Sequence, residues 1–135
     1  MKDIAIKEHH LYNKTYKRGK SFVGGLVVVY VLRDLSAERL MKANPQKRYV
    51  NRVGLSVSKK LGGAVVRNRV KRILRAGLAQ VKGELKTGYL IVLSARGAAT
   101  EKKSGDIARE LRRAFRTLGM LENIETQNNI SHSKE

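Results

Sequence analysis

A chain of 135 residues with 29 Lys and Arg against 11 Asp and Glu carries a formal charge of +18 and has room for one core of helices on a sheet, not two. It has no cysteine, which excludes disulfides and thiolate metal sites, and its longest apolar run, Leu26 to Leu32, falls far short of the roughly 20 residues of a membrane span. Met1-Lys2-Asp3-Ile4 leads into charged residues and not into a secretory leader, so we expect a cytoplasmic protein whose partner is a polyanion, nucleic acid rather than membrane.

The first predicted element is a helix from Glu8 to Arg18, with His9, Tyr12 and Tyr16 on one stripe and Gly19 as its stop. Phe22 to Leu32 is β-branched and apolar and reads as one strand, with Gly24-Gly25 as a bend or bulge inside it. Arg33 to Arg48 is longer than a hairpin needs and holds a helical turn at Ser36 to Met41. A weakly alternating strand follows from Tyr49 to Val57. The clearest helix runs from Ala64 to Lys82, with Val66, Val70, Ile73, Leu74, Leu78 and Val81 on one face. Tyr89 to Ala95 is an apolar run that reads as a strand buried on both sides. A last helix, Lys103 to Leu118, repeats the helical period through Ile107, Leu111, Phe115 and Leu118, and Gly119 ends it. Residues 122–135 are too polar to offset the entropy of ordering and are expected to form a disordered tail to a single domain of residues 1–121. The order helix–strand–strand–helix–strand–helix predicts an α/β sandwich, one sheet with helices packed on it.

Charge is concentrated in the middle. No Asp or Glu occurs from Arg39 to Gly83, while Lys and Arg recur throughout. On a wheel at about 100° per residue the helix after Gly63 sets Asn68, Lys71, Arg72 and Arg75 opposite its apolar stripe, with Arg67 and Arg69 on the flanks. One helix can thus pack on a sheet and still offer guanidinium groups to phosphate oxygens, with Asn68 as a neutral donor and acceptor for a sugar or base edge. Gly62-Gly63 frees the first N–H groups of this helix, and Lys59 and Lys60 beside them complete an expected anion site. Arg109, Arg112, Arg113 and Arg116 of the last helix read as a solvated face, and His9, His10 and His132 have no metal-site spacing. A protein nuclease needs clustered carboxylates or a His-based acid–base pair, and the basic half contains neither. Hydrolysis by this chain alone is therefore not expected. A basic ribosomal protein or a nonspecific nucleic-acid-binding protein would share this composition.

The run Lys59-Lys60-Leu61-Gly62-Gly63-Ala64-Val65-Val66-Arg67-Asn68-Arg69-Val70-Lys71-Arg72, preceded by Val53-Gly54-Leu55-Ser56-Val57-Ser58, resembles the signature of the ribonuclease P protein family, whose core is Arg-Asn-Arg on a helix. The resemblance covers roughly Glu8 to Leu121. It implies one mixed sheet with a further short strand and an unusual left-handed βαβ crossover. It also implies that a ribonuclease P RNA carries the catalytic centre and most of the Mg²⁺, and no residue of the protein is assigned to catalysis or to a metal. The protein would be the accessory subunit in endonucleolytic removal of the 5′ leader of precursor tRNA. Lys59, Lys60, Arg67, Asn68, Arg69, Lys71, Arg72 and Arg75 would bind the RNA, and Tyr12, Tyr16 and Tyr30 would line a cleft for the leader. Core packing is the competing role for those tyrosines. The sequence departs from the family at Gly63, where Asn is frequent, and in the long segment Asp34 to Asn51.

Overall fold

The computed structural model describes residues 4–36, 39 and 51–121. Along the chain lie β1 (Ile4–Ala5), α1 (His9–Arg18), β2 (Lys20–Val23), β3 (Val27–Arg33), β4 (Asn51–Ser56), α2 (Ala64–Val81), β5 (Tyr89–Ala95) and α3 (Ser104–Thr117). Short 3₁₀ turns at Lys59–Leu61, Lys82–Glu84 and Gly97–Glu101 sit between them. The five strands form one mixed sheet in the order β1-β4-β5-β3-β2. β4 and β5 are parallel neighbours joined through α2, β3 is antiparallel to β5, and β1 adds parallel to β4.

Strand β5 is central because its side chains are apolar on both faces. Leu90, Ile91, Val92 and Leu93 are all buried, as the unbroken apolar run predicts. Ile91, Leu93 and Ala95, with Val27, Val29 and Val31 of β3, meet the stripes of α2 (Val70, Leu74, Leu78, Val81) and α3 (Ile107, Leu111, Phe115) in the main core. The two helices pack tightly at Gly77, where a Cβ would stand 2.6 Å from the Ile107 side chain. The opposite face carries Leu90 and Val92 and is covered by α1 through Leu11, with Ile6 beside it. Asn51, buried at the start of β4, accepts from Tyr89 N–H and donates to the Lys86 carbonyl, which sets the register of β4 on β5.

Two sequence expectations need correction. Phe22 to Leu32 is not one bulged strand but the hairpin of β2 and β3, paired Lys20 with Val31 and Val23 with Val28. The turn is built by a distant carboxylate. Glu110 of α3 accepts from the N–H groups of Gly25, Leu26 and Val27 at 2.7–2.9 Å, and a Cβ on Gly24 would lie 2.5 Å from that carboxyl carbon. The other is the element order, which omits β1, a strand of two residues too short to show any periodicity. Elsewhere the expected helices begin or end one residue away from those observed. β4 covers Asn51 to Ser56 of the expected Tyr49–Val57 strand, and Tyr49 and Val50 lie outside the described residues. Ser36 and Arg39 of the expected Ser36–Met41 turn are helical, and the remainder of that turn, like the expected 122–135 tail, lies outside the described residues. Among the described residues no helix is long and apolar enough to cross a membrane.

Candidate nucleic-acid interface

The three tyrosines singled out by the sequence come together on the α1 face of the sheet. Tyr16 is 38% exposed and meets Tyr30 edge-on, ring centroids 4.8 Å apart at 76°. Tyr12, one turn earlier, lies 6.5 Å from Tyr16 and rests on β4, where a Cβ at Gly54 would come within 2.6 Å of its ring and hydroxyl. The phase of the helix differs from the expected aromatic stripe: its buried seam is Leu11 and Thr15, the latter's hydroxyl donating to the Leu11 carbonyl. The tyrosines border that seam. Tyr12 and Tyr30 pack partly on the small core beneath α1, so they hold the helix to the sheet and present a ring at the surface. Burial raises the Tyr12 hydroxyl pKa above its ordinary value, against the opposing effect of the Leu55 backbone. Beyond the rings the cross-strand row Val23, Val28, Ser94 and Ser56 is unburied, Val23 being 67% exposed. This leaves an open floor beside the aromatic rings.

Helix α2 flanks this face on the β4 side. The Ser58 hydroxyl caps the 3₁₀ turn carrying Lys59 and Lys60 by accepting from Lys60 N–H, and Gly62, at φ +147°, reverses the chain into α2, a conformation that L side chains rarely adopt. Gly63 precedes the first turn without a side-chain cap. Lys59, Lys60, Asn68, Arg69, Arg72 and Arg75 are exposed, whereas Arg67 and Lys71 are half-buried. Lys71 and Arg75, with Lys82, line a groove of about 420 Å³ together with Tyr12, Val53 and Leu55, so these cations adjoin the first of the three tyrosines. Arg69 donates to the Thr100 carbonyl, and the Nε of Arg67 is buried with no acceptor among the described residues.

Local neutralisation separates the basic surfaces. On α3, Arg109 pairs with Asp106 at 2.5 Å, Arg112 with Glu84 at 3.0 Å and Arg113 with Glu110 at 3.9 Å, in keeping with a solvated structural face. No such ion pair forms within the described residues for the cations of α2, because the acid-free block supplies no carboxylate nearby. Sequence reasoning assigned no role to Arg52, Gly54, Asp34 and Lys82. Arg52 reaches from β4 to Asp34, Nε to Oδ2 at 2.6 Å and Nη2 to Oδ1 at 2.8 Å, and this hydrogen-bonded carboxylate raises its pKa further. The sequence signal was the lone acid Asp34 after an apolar strand, but its partner is 18 positions away. Among the described residues no group of three or more His, Asp or Glu could hold a metal ion.

Known proteins resemble this chain over most of its length. A family model described as Ribonuclease P matches residues 1–119. The ribonuclease P protein component of Clostridium acetobutylicum is 34% identical over 131 residues, covering 97% of this chain and all of that one. Its counterpart from Oceanobacillus iheyensis is 31% identical over 129 residues, covering 96% of this chain and 98% of the relative. The solved Staphylococcus aureus RNase P protein superposes with a TM-score of 0.68 at 28% identity, over 90% of this chain and 100% of that one. The Thermotoga maritima RNase P protein shares the fold, with a TM-score of 0.61 at 22% identity over 83% of this chain and 92% of its own.

Proposed function

Because the chain belongs to the ribonuclease P protein family, the accessory component of an endoribonuclease that matures the tRNA 5′ end, we propose that its two adjoining surfaces bind two RNAs. Helix α2 takes the catalytic RNA through Arg67, Asn68, Arg69, Lys71, Arg72 and Arg75, with Lys59 and Lys60 at its head. Tyr12, Tyr16 and Tyr30 take the single-stranded 5′ leader of precursor tRNA. The observation that carries this reading is the gathering of three tyrosines from α1 and β3 beside a helix whose cations form no ion pair among the described residues. Unstacked bases are recognised by stacking on aromatic side chains, and a phosphate backbone by arginine and lysine.

In this assignment the protein supplies binding and not bond cleavage. Mg²⁺ is held mainly by the RNA subunit, which supplies the water-activating and charge-stabilising chemistry, and the described residues offer no carboxylate cluster for it. Cationic side chains of α2 lower the repulsion between the two RNAs, and the stacked leader adds affinity only for the precursor. The protein acts in the cytoplasm, where tRNA precursors are made. The test is reconstitution: RNA-free protein is expected to be inactive and to restore leader cleavage at low Mg²⁺ when mixed with a ribonuclease P RNA. Cleavage by the protein alone, or no stimulation of the RNA, would overturn the assignment.

A further inference from the structure

Beside its buried seam of Leu11 and Thr15, helix α1 meets the sheet through three side chains spaced one turn apart, each with its own partner. Glu8, at the head of the helix, faces Arg52, its Oε2 3.6 Å from Nη1. Tyr12 rests on Gly54, and Tyr16 closes on Tyr30. Arg52 and Gly54 are two residues apart on β4 and so point to the same face, in register with Leu90 and Val92 of β5. Arg52 crosses β5 to reach Asp34, just past the end of β3. Asp34 is only 2% exposed, and its own N–H is fixed to the Gly88 carbonyl at 2.8 Å. A guanidinium held bidentately by an anchored carboxylate has little freedom left, so its remaining nitrogen offers Glu8 a fixed cation. Glycine at 54 sets the second coordinate, because any Cβ there would lift the Tyr12 ring off the strand.

We propose that Arg52 and Gly54 are positioning residues for the aromatic cleft: the Asp34–Arg52–Glu8 bridge and the bare Gly54 seat hold α1 at the depth and register in which Tyr12 and Tyr16 present their rings to a leader base. The inference rests on the leader-cleft reading above. It differs from a plain stabilising ion pair in one consequence: loss of Arg52 or Gly54 acts on the leader selectively.

The experiment uses holoenzyme reconstituted with ribonuclease P RNA and measures affinity for precursor tRNA with a leader of several nucleotides and for mature tRNA. In Gly54→Ala and Arg52→Met the ratio of precursor to mature affinity is expected to fall severalfold while binding of mature tRNA and of the catalytic RNA stays at wild type. Arg52→Lys, which keeps the charge but not the fork, recovers part of the loss. Arg52→Met removes a charge facing a buried carboxylate and can unfold the protein. The cycle of Gly54→Ala with Tyr12→Leu therefore provides a second reading: once the ring is gone, the added methyl should cost the ratio nothing further. Tyr16→Leu is run alongside to separate the two levels of inference. If it lowers the ratio while folded Gly54→Ala and Arg52→Met leave it unchanged, the positioning role is wrong and the leader cleft stands. If Tyr16→Leu also leaves the ratio unchanged, the leader reading falls and takes this inference with it. Equal losses on both RNAs, or strictly additive effects in the cycle, overturn the positioning role as well.

Discussion

At the scale of single residues, the tyrosines show what a side-chain type reveals and what it hides. Their gathering on one face was legible, because Tyr12 and Tyr16 are four apart on a helix and Tyr30 alternates outward from the core side of β3. The exact phase of α1 was not. Tyrosine is amphipathic and satisfies a helical stripe whether it forms the buried seam or borders it, and here Leu11 and Thr15 form the seam. That position makes a stacking role separable from packing. Replacing Tyr16 with Leu is expected to shift the melting temperature little while lowering affinity for leader-bearing precursor by about 1–3 kcal/mol, the value of one base–aromatic stack. Paired binding curves with precursor and mature tRNA check it; an equal loss on both would return Tyr16 to a structural role. Arg52 and Asp34 were illegible for another reason, since a pair closed by tertiary structure across β5 has no local spacing to betray it.

At the scale of elements, α2, β5 and α3 were readable because long periodic or unbroken apolar segments decide their own structure. The β2–β3 corner was not, since a glycine pair inside an apolar run suits a bulge as well as a turn, and the deciding group, Glu110, lies 83–85 positions away. Glu110→Ala is expected to cost about 1.5–3 kcal/mol of stability, the range for hydrogen bonds to a charged group, and Glu110→Gln less. Denaturant unfolding measures both, and an unchanged midpoint for the alanine variant would show that the corner holds without its carboxylate. Helix α3 also carries a pH-dependent start. The Lys103 N–H, followed by Arg109, holds the Asp106 carboxyl below the usual carboxylate pKa. A depressed folded-state value means that Asp106 stabilises the protein above its unfolded pKa and that this contribution is lost as pH falls through the lowered one. The stability difference between wild type and Asp106→Asn should therefore close as pH drops below the ordinary carboxylate range, as urea titrations at several pH values would record.

At the scale of the whole molecule, a charge of +18 is neutralised unevenly over the surface. Arg109, Arg112 and Arg113 of α3 are paired at home, whereas among the described residues the cations of α2 form no ion pair. Composition alone pointed to a polyanion, but only the folded chain separates the two classes of arginine. Substituting Arg67 and Arg69 with Ala should weaken binding to the catalytic RNA and reduce the slope of log affinity against log salt by about 0.7–0.9 per lost phosphate contact. The same exchange at Arg109 and Arg112 should leave the slope in place; equal slopes for both pairs would show that neutralisation does not sort these surfaces. The central strand also governs time. β5 lies between β3 and β4 yet is synthesised after both, so a nascent chain still lacking residues 89–95 has no strand to join its two halves. Local hairpin contacts can form early, but the sheet closes late and collectively, as expected where pairing is non-local. Until then the acid-free block stands strongly cationic, without its sheet, beside a surface made of RNA. Ribosome-stalled chains ending before Tyr89 should stay protease-sensitive, and chains extended far enough past Leu121 to clear the exit tunnel should become resistant.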